Sequence, residues 1–348
     1  MSATASQLIN CPTFQAELNS NWAKCASIRE PLPFLEFMLS PLNRQPIRDM
    51  IVSGGKIKTV EVRYDQRISE SEVNSNVANP TCSATTKRSD NSATYTIDPN
   101  INLNIEEKFD LMDLVRICRS DATFMATTMQ KLIDGLMRKV ATQTAVEAVA
   151  LAGGWASDVT GVTNDELVVS TLRAGTTDQV APFTMEVIET AKMKSGYCAP
   201  TGNFGGTTLY QYAKRMMAGC CADQGIDLSK IMDMFGQAFV WDRRVKSALG
   251  SEDKTLMVQL GALQLLTFNL FDGMEAGRAF QTPQYTRMVV RDPMTGFPMD
   301  FVMTDDCGTV SLNLTATTKV IALPTDMFGV GDVYEGVNYT GVIKVTNS

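Results

Sequence analysis

The residue types best suited to chemistry fall into a few clusters, and each fails as a catalytic or ligand site on its spacing. Gly202-Asn203-Phe204-Gly205-Gly206, ahead of a helical stretch, has the composition of a loop that cradles phosphate with backbone amides. No Lys-Ser or Lys-Thr pair follows it and neither nucleotide fingerprint is completed, so it reads as a plain loop. Glu106-Glu107 and Asp305-Asp306 offer paired carboxylates. Adjacent residues on a strand point to opposite faces, however, so these pairs read as solvated charge rather than as an acid and a base sharing one site. Cys198 with Cys220-Cys221 invites metal ligation, but the chain has no histidine and no Cys-x-x-Cys pair. Without histidine it lacks the side chain most used for proton transfer near neutral pH. No catalytic, cofactor-binding or metal-binding residues are expected, and neither is enzymatic activity.

One cluster suits a different task. Arg63, Asp65, Arg67, Glu70, Glu72, Lys87, Arg88 and Asp90 mix both signs of charge along one stretch. Such a stretch is either a solvated loop or a set of salt bridges onto an adjacent subunit, and the flanking pattern favours the second. Val60, Val62 and Tyr64 alternate with Glu61, Arg63 and Asp65, and a second alternating run covers Tyr95, Ile97, Ile101, Leu103 and Ile105. Period two is the signature of a strand with one wet face. The charged stretch therefore reads as the tip of a long hairpin that has little core of its own and needs a partner chain for support.

The remaining elements set the frame for that hairpin. Residues 1 to about 50 carry short apolar segments at Leu8-Ile9 and at Phe34 to Leu39, the latter just after Pro31-Leu32-Pro33. They predict an extended arm ordered by its own core or by a neighbour's. From Ser120 or Asp121 to Gly153-Gly154, Met125, Met129, Leu132, Leu136 and Val140 recur at helical steps. About 30 residues at 1.5 Å each give a rod of about 45 Å. Beyond it, Leu167-Val168-Val169 predicts a strand, and helices are expected from Thr184, ending with Lys192, Lys194 and Gly196, and from near Thr207, ending at Lys214, Arg215 and Gly219. Ala238 to Trp241, Leu256 to Val258 and Leu263 to Phe268 read as buried strands. Tyr285 to Val290 and Phe297 to Thr304 flank the turn formers Asp292, Pro293 and Gly296 and predict a hairpin. Val310 to Leu323 and Gly341 to Val345 supply further strands, for an α+β fold overall.

Composition narrows the function. With 348 residues, 44% of them hydrophobic, the chain can fill one large or two ordinary cores. A formal charge of −7 argues against a protein whose task is to grip nucleic-acid phosphates. Cys11, Cys25, Cys82, Cys118, Cys198, Cys220, Cys221 and Cys307 are scattered and read as reduced, buried thiols in a cytoplasmic compartment. No apolar run reaches about 18 residues and the first residues show no secretory pattern. The triplets at Asn313 and Asn338 match a glycosylation acceptor that matters only in a secreted protein.

The order of arm, charged hairpin, long helix, compact α/β region and returning strands resembles the major capsid protein of tailed double-stranded DNA bacteriophages, the Hong Kong 97-like fold. The segments Val60 to Tyr64, Gln237 to Arg244, Gly261 to Asn269, Arg291 to Gly296 and Ala322 to Phe328 carry the resemblance, the last two also to capsid proteins of phages infecting Bacteroidetes-type hosts. It implies an amino-terminal arm at 1–50, an extended loop at 51–105, and a peripheral domain with a spine helix at 106–165, completed by strands at 284–322. It also implies an axial domain at 166–283, completed by the carboxy-terminal strand at 323–348. The implied function is self-assembly into pentamers and hexamers of an icosahedral head that encloses DNA without sequence-specific binding. Such heads are assembled in the host cytoplasm with scaffold, portal and decoration proteins as further partners, and no membrane or cofactor is involved. No long coiled coil precedes the arm, so a fused scaffold is expected to be absent, cleaved or separately encoded. Lys56, Lys58 and Lys87 lie near the loop, but no lysine–asparagine crosslinking pair is identified. An encapsulin-type nanocompartment shell protein, a phage tail or sheath protein, and a cytoplasmic α/β enzyme are the alternatives.

Overall fold

The computed structural model describes residues 30–40, 43, 49–53, 58–64, 91–98, 102–110, 121–153, 162–163, 166–169, 184–195, 200–211, 232–234, 237–270, 280–282, 285–306, 308–323 and 341–347. Helix α1 (Pro33–Leu39) is followed by strands β1 (Asp49–Ser53), β2 (Lys58–Tyr64), β3 (Asn91–Ile97) and β4 (Leu103–Asp110), then by helix α2 (Asp121–Ala150). Next come β5 (Val162–Thr163), β6 (Glu166–Val169), helix α3 (Thr184–Lys194), β7 (Thr201–Gly205), β8 (Met232–Met234), β9 (Gln237–Trp241) and helix α4 (Arg243–Leu249). The chain continues through β10 (Lys254–Gln259), β11 (Leu263–Phe268), β12 (Phe280–Thr282), β13 (Tyr285–Arg291), β14 (Pro298–Asp306), β15 (Thr309–Ala322) and β16 (Val342–Asn347). This is an α+β architecture of three sheets: β1-β2-β3; a seven-stranded sheet in the order β5-β6-β16-β10-β7-β9-β8; and a six-stranded sheet in the order β11-β15-β14-β13-β12, with β4 also paired to β15.

The six-stranded sheet is antiparallel throughout and alternates cleanly. Met288 and Val290, Met299, Phe301 and Met303, and Val310, Leu312, Leu314 and Ala316 share one buried face. Against that face lies the α2 stripe of Met129, Leu132, Ile133, Leu136, Met137, Val140 and Ala141, as its three- and four-residue spacing requires. Gly135 lets the helix settle close to β4, since a Cβ there would lie 3.3 Å from Ile105 Cδ1. Farther along the same helix, Ala145 and Ala148 belong to another cluster with Phe34, Met38, Phe204, Val245, Leu256, Val258 and Val342. One helix thus packs on both large sheets.

Within the six-stranded sheet β15 changes partners along its length. It pairs with β14 as far as Thr315 and with β4 as far as Ala316, then with β11 from Thr317 onward. In the part paired with β11 the Val320 N–H donates to the Glu147 carboxylate of α2 at 2.7 Å, so a helix side chain satisfies a strand amide. The same carboxylate accepts from Gln143 at 2.8 Å.

Several expectations are corrected. Gly202 to Gly205, read as a loop, lies in β7, which is buried along its whole length between β10 and β9. Gly205 and the adjoining Gly206 answer to packing: a Cβ at Gly205 would come within 2.7 Å of the Lys254 carbonyl oxygen, and one at Gly206 within 1.8 Å of the Glu252 carbonyl oxygen. The alternating run from Tyr95 to Ile105 divides, with β3 pairing to β2 and β4 joining the six-stranded sheet. Trp241, read as part of a buried strand, is 44% exposed at the end of β9. The cysteines all lie outside the described residues.

Candidate assembly interface

The ribbon β1-β2-β3 has two unlike faces. Thr59, Glu61 and Arg63 on β2 stand across from Thr96, Thr94 and Ser92 on β3, making one polar face. Val60 and Val62 alternate to the other face, across from Tyr95 and Ala93. That apolar face packs on Leu266, Ile321 and Leu323, with Phe268 alongside, behind β11 and β15. Two hydrogen bonds fix the contact: the Tyr95 hydroxyl donates to the Ala322 carbonyl at 2.8 Å, and Lys319 Nζ donates to the Thr96 carbonyl at 3.0 Å. The hairpin was expected to have little core and to need a partner chain. Its root instead has its own support, because Val62 is fully buried within the subunit.

Of the charged residues singled out in the sequence, Arg63 is described. Its Nε lies 3.2 Å from Glu61 Oε1, with side chains 42% and 35% exposed. Residues two apart on a strand share a face, so this pair was available from the alternation, although Glu61 was counted only as a wet-face residue. An exposed pair of this kind contributes about 0.2–1 kcal/mol. Asp65, Arg67, Glu70, Glu72, Lys87, Arg88 and Asp90 lie outside the described residues.

The apolar segment of the arm at Phe34 to Leu39 is ordered by the subunit's own core, while Leu8-Ile9 lies outside the described residues. Leu32, Phe34, Leu35 and Met38 are buried, and Phe34 and Phe37 pack against Phe204, with ring centroids 5.1 and 5.0 Å away. A single buried carboxylate holds two helix starts: Asp242 Oδ1 accepts from the amides of Arg244 and Val245, while Oδ2 accepts from Phe34 N–H at 3.1 Å. Arg244 closes the arrangement by pairing with Glu30 at 3.0 Å. Asn43 adds a clamp, donating to the Leu263 carbonyl and accepting from Gly261 N–H. Asp242 ahead of Arg243-Arg244-Val245 carries a local capping signal, but its second partner is 208 residues away in sequence, so no local pattern reveals it.

Elsewhere the surface acids have assigned partners. The Ser311 hydroxyl and then Lys108 hold Glu106 below the usual carboxylate range. Burial pushes Glu166 up, but bonds from Lys254 and Thr346 outweigh it and leave its pKa lowered. Lys246, followed by Thr207, lowers Glu252. Among the described residues no group of three His, Cys, Asp or Glu could hold a metal ion, and no helix is long and apolar enough to cross a membrane.

No family model matches the chain, and no curated protein matches it. Solved structures do. The capsid of the cyanophage P-SCSP1u matches at 12% identity over 85% of this chain and 84% of that one, with a TM-score of 0.40. The mature capsid of bacteriophage PhiM1 matches at 8% identity over 84% and 82%, with a TM-score of 0.41. The capsid of the cyanophage Pam1 matches at 9% identity over 88% and 86%, with a TM-score of 0.41. The chain is similar to phage capsid proteins.

Proposed function

We propose that the chain is a major capsid protein that self-assembles into pentamers and hexamers of an icosahedral phage head around double-stranded DNA. The supporting observation is a division of labour within the subunit. Among the described residues three clusters close the body on itself, while β2 and β3, rooted in that body, flank in sequence the mixed-charge residues 65–90. In this reading residues 1–50 are the arm and 51–105 the extended loop, α2 is the spine of a peripheral domain, and the seven-stranded sheet belongs to the axial domain. Arg63, Asp65, Arg67, Glu70, Glu72, Lys87, Arg88 and Asp90 contact a neighbouring subunit, where opposite charges fix register more than they add affinity. Scaffold, portal and decoration proteins are the further partners, and the work is structural rather than catalytic.

Negative-stain electron microscopy with light scattering on the full chain, alone and with its neighbouring reading frames, tests this. Closed shells or five- and sixfold capsomers are the expected result, and shell diameter separates a phage head from a nanocompartment. A monodisperse monomer or dimer under every condition would overturn the proposal.

A further inference from the structure

The ribbon β1-β2-β3 forms a sheet of its own, and among the described residues no backbone hydrogen bond links it to either large sheet. Side chains make the connection instead. Val60, Val62 and Ile97, with Tyr95, lie on Leu266, Ile321 and Leu323. Apolar burial of this kind is non-directional: it holds two faces together but does little to stop one turning on the other. The stretch from β3 to β4, residues 98–102, limits the distance between ribbon and body but not the angle. Hydrogen bonds do fix an angle, because they weaken steeply away from a straight donor–acceptor line. Two cross the contact in opposite senses, Tyr95 of β3 donating to the Ala322 carbonyl and Lys319 of β15 donating to the Thr96 carbonyl. One bond would leave a pivot, whereas two side by side set a direction. β15 continues for 14 residues through the six-stranded sheet, so that direction is referred to the body.

We infer that Tyr95 and Lys319 set the angle at which the ribbon leaves the body, and through it the curvature at which neighbouring subunits join. The inference rests on the capsid reading above, in which the segment between Tyr64 and Asn91 contacts a neighbour. Those two residues pair at the end of the ribbon, beyond the anchored part. From Tyr95 to Asn91 is about 13 Å of strand at about 3.3 Å per residue, so a tilt of about 10° at the root moves that end by about 2 Å, enough to break a direct salt bridge. In a closed shell the angle between neighbours is the curvature, and an angle left loose gives shells of many sizes. Tyr95 is half-buried and carries the larger share; Lys319 is exposed and carries the smaller. Both are positioning residues, acting through the ribbon.

Full chains carrying Tyr95→Phe, Lys319→Met or both are assembled beside wild type, with Lys319→Arg as the variant that keeps a donor. Phenylalanine leaves the ring in its cluster and methionine leaves most of the stem, so subunit melting temperatures should stay close to that of wild type. Shell diameters are then measured by negative-stain electron microscopy. Wild type and Lys319→Arg should give one narrow diameter. The double variant should give a several-fold wider spread with open or spiral sheets among the products, and Tyr95→Phe should be the more disruptive of the two single changes. Double-variant shells of wild-type diameter and spread would overturn the inference. A spread that only follows a fall in subunit melting temperature, or that Lys319→Arg shares with Lys319→Met, would reduce the bonds to general stabilisation and overturn it as well. Lys319→Met changes an exposed side chain, so it reports on the angle even if the double variant fails to fold. Absence of closed shells from wild type itself is a failure of the capsid reading, separate from any result with the variants, and takes this inference with it.

Discussion

The six-stranded and seven-stranded sheets meet along one helix, yet they are built in opposite ways. In the first, β12 to β15 follow one another in the chain and pair in that order, every pair antiparallel, with side chains filling one face against α2. In the second, β16, from the far end of the chain, lies between β6 and β10, and β7 runs parallel to β9. Its centre depends on close backbone approach at glycines as much as on side-chain volume. The β12–β15 meander of the first sheet can form from local turns. The second must wait for its last strand, which is the costlier closure because long loops have to be ordered before the contacts form.

The largest expected effect follows from that order. Removing residues 341–348 takes a central strand from the seven-stranded sheet, and the truncated chain should be recovered as aggregate rather than soluble subunit, measured by the soluble fraction on expression. In the antiparallel sheet, Phe301→Ala should cost about 3–5 kcal/mol by leaving a cavity beneath α2, read from denaturant unfolding. Gly206→Ala should cost about 2–3 kcal/mol with no cavity at all, because the new Cβ meets backbone at 1.8 Å. Equal tolerance of Gly206→Ala and a surface substitution would erase the contrast between the two sheets.

The smallest effect is electrostatic. Glu166 on β6 accepts from Lys254 on β10 at 2.8 Å and from Thr346 on β16 at 2.7 Å, tying three strands. Its folded pKa lies below the ordinary 4.5, so its stabilisation is present above that value and is lost as pH falls through the folded pKa. Glu166→Gln should therefore narrow the gap in melting temperature between wild type and variant below about pH 4.5 and leave it constant near neutrality.

What the sequence revealed follows the same division. The β13–β14 hairpin was legible because Asp292-Pro293-Met294-Thr295-Gly296 is turn chemistry between alternating runs, and α2 because its stripe repeats for many turns. β7 was not, because Thr-Gly-Asn-Phe-Gly shows no alternation when both faces are buried. The third ribbon strand, β1, was missed as well, since five residues give too short a pattern to separate from an arm. At the candidate interface the ribbon's polar face was legible from period two. Its support by Leu266, Ile321 and Leu323 was not, since those residues lie some 200 positions on and were read only as strand interior.

The central proposal is that the described clusters close within one chain, whereas residues 65–90 contact a neighbouring subunit. Hydrogen–deuterium exchange on isolated subunits and on assembled shells tests it most directly. The account predicts that residues 65–90 gain strong protection on assembly while β13 to β15 exchange equally slowly in both states. Unchanged exchange across 65–90 in closed shells would contradict it.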